Sequence, residues 1–293
     1  MARPVVHGAW LPTSFLPEIL WVHKIFPLMG LDQISGADRE CICVRGVGIV
    51  TAMRVEARCI THGRLPFNER ISLGEHGAIW LSGIGAEAAR AAAEGLRASG
   101  ATALMSFGFA GALEPSLRPG NLILPELIHT GRLLEVDLSW RDRLRRRLPA
   151  HISVVGGVLA ASAGVLTSGT AKSELAQATG ACAVDMESGA VAEAAAHAGL
   201  PFLAVRAISD PLEFSPPTVL LDVVRPDGSA DLARLLPLLL RRVLTVGTLL
   251  RLAADSRAAC SALASVARLA GTEMGIASRN SVSSPVSYRG SAR

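Results

Sequence analysis

An α/β fold built on a largely parallel sheet is predicted by three features of the 293-residue sequence. Residues 78–107 read as strand, glycine turn, alanine-rich helix and strand, the pattern of a βαβ unit. Residues 182–208 repeat that order, with a short apolar strand, a helix capped by Gly199 and a second apolar strand. Half of the residues are hydrophobic and 18% are charged, with 28 Gly and 16 Pro, which supplies a large core and falls short of the roughly 25–30% Gly plus Pro of low-complexity chains. The length suits two domains of about 150 residues or one large α/β domain. One domain over residues 43–270 with flanking extensions is the organisation expected here.

In chain order, residues 1–42 show no clean period and read as an irregular N-terminal extension. The β-branched run 43–51 is the first strand, and 52–58 starts a helix or tight loop that leaves Glu56 just past the strand end. Residues 78–81 form a strand, Ser82-Gly83-Ile84-Gly85 a turn, and 86–98 a helix stopped by Gly100. The strand at 101–107 is expected to close in a second glycine turn, Gly108-Phe109-Ala110-Gly111. The charged run WRDRLRRRL at 140–148 is read as a solvated helical face. A strand at 182–186 contains Asp185 and is followed by Glu187 and a helix over 188–198. The apolar run 202–208 is a strand ending in Ser209-Asp210-Pro211. Residues 232–270 form a Leu/Arg-rich helical extension of the domain, and 271–293 a Ser-rich disordered tail.

Composition narrows the classes of function. The net charge of +4 is carried by arginine, with Lys24 and Lys172 as the two lysines. One Tyr, four Trp and seven Phe are too few to interleave with basic residues on a nucleic-acid surface, so no nucleic-acid partner is expected. Five cysteines form no C-x-x-C pair and no metal-ligand spacing, which suits a reduced, cytoplasmic chain without a metal site. Pro4, Pro12, Pro17 and Glu18 interrupt any signal-peptide core. The uncharged run 243–250 is far below the roughly 20 residues of a membrane span. No G-x-G-x-x-G follows the first strand, which excludes the dinucleotide fingerprint.

Ligands of open α/β sheets bind beyond the carboxyl ends of the strands, so acids placed there are site candidates. Glu56, Glu187 and Asp210 qualify. The plain alternative for each is a loop carboxylate capping a helix, most readily Glu187 before the helix at Ser188. Strands joined by a short crossover are usually neighbours that end at one edge, which brings Glu187 and Asp210 together. Asp185, inside its strand, suits a structural hydrogen-bonding role, and His197 suits the C-terminal dipole of its helix.

Val184-Asp185-Met186-Glu187-Ser188-Gly189-Ala190 followed by Arg206-Ala207-Ile208-Ser209-Asp210 resembles the V-E-M-E…R-x-I-S-D pair of the purine nucleoside phosphorylase and methylthioadenosine/adenosylhomocysteine nucleosidase superfamily. Gly48-Ile49-Val50-Thr51-Ala52-Met53-Arg54-Val55-Glu56 is similar to the family's opening strand and catalytic glutamate, and the two glycine segments match as well. The likeness spans about residues 44–213. Leu249-Leu250-Arg251-Leu252-Ala253-Ala254-Asp255-Ser256-Arg257 further resembles the hopanoid-associated phosphorylase branch, whose members are assigned the removal of adenine from adenosylhopane.

The resemblance implies a three-layer αβα sandwich about a central mixed, largely parallel sheet, and cleavage of the N-glycosidic bond of a purine nucleoside. Asp210 would protonate the base at N7 and Glu56 would activate the attacking water. Glu187 would accept the ribose hydroxyls, and Met186 would pack on the sugar or simply in the core. Ser209, Ala110 and Gly111 would complete the substrate site with close backbone approach. No cofactor is implied, with phosphate as co-substrate if the enzyme is a phosphorylase. No G-D-P-x-R phosphate loop is present and Glu56 would repel a dianion, so water is favoured, with Arg54, Arg58 or Arg118 as the anion site otherwise. Phe109 stands where relatives often carry a small hydroxyl residue, and residues 167–173 lack the aromatic that commonly stacks on the purine. Relatives are homo-oligomers. Residues 232–252 form either an amphipathic helix on an anionic inner membrane surface, suited to a lipid-linked nucleoside, or an ordinary packed helix. The alternatives are a 5′-methylthioadenosine/S-adenosylhomocysteine nucleosidase and a non-catalytic nucleoside- or lipid-binding relative.

Overall fold

A computed structural model divides the chain into units Met1–Glu40 and Cys41–Arg293. The residues described are 46–276 without 75–76, 215–216, 221–222, 224, 226–227, 230, 242–243 and 272. The extension expected at 1–42 and the tail from 277 onward lie outside them. In chain order the elements are β1 (Val47–Thr51), α1 (Arg54–Ala57), β2 (Arg70–Ser72), β3 (Gly77–Leu81), α2 (Ala86–Ala98), β4 (Ala103–Ala112), β5 (Leu122–Ile123) and β6 (Leu127–His129). Next come β7 (Leu133–Glu135), α3 (Leu138–Arg147), β8 (Val154–Val155), β9 (Val158–Ala161), α4 (Gly169–Thr179), β10 (Ala181–Asp185) and α5 (Ser188–Ala198). Last are β11 (Phe202–Asp210), α6 (Leu232–Leu240) and α7 (Val246–Ala270).

The strands form one mixed sheet in the order β2-β3-β1-β4-β10-β9-β6-β7, with β11 on the other side of β4 leading to β5 and β8. The α/β sandwich expected from the sequence is therefore present. Its helices follow from simple local rules. Helix α2 buries Ala89, Ala92, Ala93 and Leu96 along one stripe, and α5 buries Ala190, Val191, Ala192, Ala194 and Ala195. These small side chains let the two helices pack on each other and on β1 and β4. Both α4 and α5 end at a glycine in the left-handed conformation, Gly180 and Gly199. The long α7 packs on β11 and β5 and touches α1 and α3.

Two expectations about the sheet are corrected. Residues 108–111 are not a turn: β4 runs through them to Ala112, and neither Gly108 nor Gly111 has a positive φ. They are glycines because neighbours approach closely. A Cβ at Gly108 would meet Arg206 Nη1 and Glu56 Cδ at 2.6 Å, and one at Gly111 would lie 3.3 Å from Asp210 Oδ2. Nor are β10 and β11 neighbours. Strand β4 outlasts β1, whose pairing ends at Val50 opposite Ser106, and the freed edge of β4 accepts β10 antiparallel at Gly111 and Ala112. Strand β11 lies parallel along the other edge of β4 from Leu104 to Gly111. The α5 crossover thus carries the chain over β4. Val184, Gly111 and Asp210 share one row across the sheet, so the ends of β10 and β11 meet around β4 and not beside each other.

The run expected as a solvated face is more than that. Helix α3 buries Trp140, Arg141 and Leu144, with Arg141 paired to Glu126. Trp140 Nε1 donates to Met274 O at 2.7 Å, so the packed chain continues past Gly271 to Ile276.

Candidate active site

Arg206 organises the site from the middle of β11. Its side chain is 1% exposed, and a buried guanidinium requires partners for its fork of donors. It pairs with Asp185 at Nη2, which also donates to Ser106 Oγ at 2.6 Å. Nε donates to Ser188 Oγ at 3.1 Å and Nη1 to Phe109 O at 3.2 Å. Glu187 Oε2 lies 3.7 Å from Nη2. Asp185 closes the network by accepting from Ser188 N at 3.0 Å, the structural role expected of it, and so bonds the first turn of α5. That decides the reading of Glu187. It is not the side-chain cap of α5; its Oε1 instead accepts from Gly85 N at 2.8 Å, across the turn before α2.

Glu56 enters the same cluster from α1. Oε2 accepts from Ala52 N at 3.0 Å and Met53 N at 2.8 Å, and Oε1 from Phe109 N at 2.8 Å. Burial pushes its carboxyl above the ordinary glutamate range, against the pull of Arg206 and these three backbone donors. Burial likewise lifts Glu187 to about 7, with Arg206 opposing and Asp185 and Glu56 adding to the rise.

A pH dependence of stability follows. An unfolded glutamate releases its proton near 4.5, whereas Glu187 in the native state holds it to about 7. Between those values the native state binds more protons, so stability falls as pH rises through the window. Glu187→Gln is expected to flatten the decline of melting temperature from pH 4.5 to 7. A slope unchanged in the variant would show that the proton is held elsewhere.

Asp210 stands apart from this cluster. The register of β11 on β4 shifts by one residue between Ile208 and Asp210, which makes Ser209 the extra residue and sets Asp210 opposite Gly111. Asp210 Oδ2 is 2.7 Å from Lys172 Nζ, while Oδ1 is buried without a hydrogen-bond partner among the described residues. Burial raises its carboxyl above the ordinary aspartate range, with Lys172 pulling it back and Asp255 adding to the rise.

The fold therefore brings Glu56 and Glu187 together about Arg206, and puts Asp210 and Ser209 beside Ala110 and Gly111 at the end of β4. Met186 is half-buried between Asp185 and Glu187. Of the arginines considered for an anion, Arg54 Nη1 donates to Leu65 O at 2.6 Å and Arg118 Nη1 to Pro115 O at 2.6 Å. Among the described residues no three His, Cys, Asp or Glu side chains are grouped to hold a metal. Sequence reasoning assigned no role to Arg206, although it stood inside the recognised motif. It missed Lys172 altogether, because nothing in the spacing links a lysine on α4 to an acid 38 positions on at the end of β11.

The family model described as the phosphorylase superfamily matches residues 37–237. No curated protein matches the chain significantly. Among solved structures, 5′-methylthioadenosine/S-adenosylhomocysteine nucleosidase from Neisseria meningitidis, in complex with methylthio-immucillin-A, is 17% identical with a TM-score of 0.58 over 77% of this chain and 98% of that one. An inhibitor complex of the Helicobacter pylori nucleosidase of the same name is 20% identical with a TM-score of 0.55, again over 77% and 98%. The futalosine hydrolase of Helicobacter pylori is 20% identical with a TM-score of 0.55 over the same shares. At these identities the likeness is one of fold.

Proposed function

The chain belongs to the phosphorylase superfamily, and on that premise we propose that it cleaves the N-glycosidic bond of a purine nucleoside and releases adenine. The observation that carries this reading is the set of three carboxyls around the far end of β4: Glu56 and Glu187 held about Arg206, and Asp210 beside Gly111 with one oxygen that has no partner among the described residues. Departure of adenine leaves positive charge on the ribosyl group and negative charge on the base. Asp210, its carboxyl raised above the ordinary aspartate range by burial, gives its proton to N7. Glu187 accepts hydrogen bonds from the ribose 2′- and 3′-hydroxyls, and Glu56 orients and deprotonates the attacking water. Met186 and Ser209 contact the substrate, while Ala110 and Gly111 admit it close to the backbone of β4.

Water is the nucleophile this reading prefers to phosphate. Two glutamates repel a dianion, and the donors of Arg206 are already given to Asp185, Ser106, Ser188 and Phe109. For the substrate itself, the reading is adenosylhopane. Support comes from the motif at 249–257 and from the exposed Leu236 and Leu240 of α6 and Val246 and Leu250 of α7, in a stretch of chain that also carries Arg241 and Arg251. Such a surface suits peripheral contact with an anionic membrane that holds a lipid-linked nucleoside; no helix among the described residues is long and apolar enough to cross one. The protein acts as a cytoplasmic homo-oligomer and uses no cofactor. A methylthioadenosine/adenosylhomocysteine nucleosidase is the second reading, favoured by the names of the solved structures of like fold.

The test is adenine release, followed by chromatography, from 5′-deoxyadenosine, methylthioadenosine and adenosylhopane, first in phosphate-free buffer and then with phosphate. Release without phosphate, fastest from adenosylhopane and lowered about 10²- to 10⁴-fold in Glu56→Gln, is the expected result. Strict phosphate dependence would make the enzyme a phosphorylase and remove water activation from Glu56. Preference for methylthioadenosine would select the second reading, and no adenine from any of the three would leave a non-catalytic nucleoside- or lipid-binding protein.

A further inference from the structure

Lys172 is the one residue of α4 whose side chain is buried. A helix that buries a single side chain ordinarily buries an apolar one, since placing an ammonium out of water is costly unless each donor is used. Here Nζ is 2.7 Å from Asp210 Oδ2 and donates to Pro211 O at 2.9 Å. Both contacts fall on the end of β11. A Cβ at Gly111 would lie 3.3 Å from the same Oδ2, so that oxygen is confined from two sides while Oδ1 has no partner among the described residues.

We propose that Lys172 is the positioning residue of Asp210, holding Oδ2 as the accepting oxygen and thereby fixing the acid proton on Oδ1, the oxygen left to face the base. The proposal rests on the assignment of Asp210 as the acid made above. Its logic is one of donors and acceptors: an ammonium carries three N–H groups and no acceptor, so the oxygen facing it must accept. When the carboxyl is protonated the proton therefore sits on the other oxygen. The ammonium also opposes the effect of burial on proton release. Among the described residues, the charged group acting on Asp210 besides Lys172 on α4 is Asp255 on α7, itself 3.8 Å from Arg251 Nε; Gly111, its partner on β4, and Val184, next in that row on β10, carry none.

The experiment uses the full chain, with Lys172→Met and Lys172→Arg. For Lys172→Met, the alkaline limb of the kcat/KM profile for adenine release is expected to move up by about 1–2 pH units, since the opposing cation is gone. The maximal kcat should fall about tenfold with KM within about twofold, because the proton is no longer confined to one oxygen. Lys172→Arg should restore the position of the limb. An alkaline limb and kcat unchanged in Lys172→Met, or a loss confined to KM, would overturn the proposal. If wild type releases no adenine, the functional reading fails, and the carboxyl ¹³C titration of Asp210 judges Lys172 by itself: an upward shift in Lys172→Met supports it and none refutes it. If Lys172→Met does not fold, wild type is titrated alone. The Lys172 ¹⁵Nζ resonance should then respond at the pH where the Asp210 carboxyl titrates, and independence of the two would overturn the pairing.

Discussion

Arg206→Met is expected to destabilise the protein by about 3–5 kcal/mol, the usual result of removing one partner from a buried ion pair. Against a total stability of about 5–15 kcal/mol that is enough to unfold a marginal domain. Methionine fills much of the volume, so the loss is electrostatic. Asp185 loses its counter-charge, Glu187 and Glu56 lose the nearest cation, and Ser106, Ser188 and the carbonyl of Phe109 lose a donor. The loss should be larger at pH 8 than at pH 5, because the Glu187 carboxyl, raised to about 7 by burial, is largely ionised only at the higher value. Urea unfolding at the two pH values measures both effects. A loss below about 1 kcal/mol, typical of surface pairs, would mean that the cluster is solvated and that Arg206 does not hold it.

Asp210→Asn is expected to lower adenine release about 10²- to 10⁴-fold, the usual contribution of a general acid. The amide oxygen can still accept from Lys172 Nζ, so the end of β11 keeps its place, but a buried ammonium is left without a counter-charge. Melting temperature should therefore fall by a few degrees while circular dichroism stays that of the folded protein. The residual activity should lack the alkaline limb of the wild type, since an amide has no proton to give at any value, so the loss narrows as pH rises through that limb. Wild-type rates in the variant would show that the base departs without help from Asp210.

The parts of the fold legible in the sequence are those settled within a few residues of chain. The bounds of α2 and α5 were marked by the flanking glycine turn, the alanine stripe and Gly199, all local signals. Pairing was not legible in the same way. Two strands joined by a helix pointed to direct neighbours, yet whether another strand lies between them depends on a strand 70 residues earlier that outlasts its partner. Glycines at 108 and 111 carried a true signal with two meanings, and the turn was the wrong one because the crowding that excludes a Cβ comes from Glu56, Arg206 and Asp210. In α3 the density of arginine masked the Trp140 and Leu144 stripe. The acids of the candidate site stood at strand ends and were visible; the cations that hold them were not, since a buried Arg or Lys differs from a solvated one only in what surrounds it.

The extra residue at Ser209 gives the acid an unusual kind of address. Along a regular strand, alternate side chains face opposite sides, so Asp210 would share the side of Arg206 four residues earlier. The shift at Ser209 breaks that parity and frees the acid from the direction taken by the arginine. The aim of Asp210 is thus written in the number of residues along β11 as much as in their identity. The position is expected to tolerate substitution better than insertion or deletion: a change at Ser209 that keeps the count keeps Asp210 in place, whereas losing one residue would leave the carboxyl present and turned to the other side of the sheet.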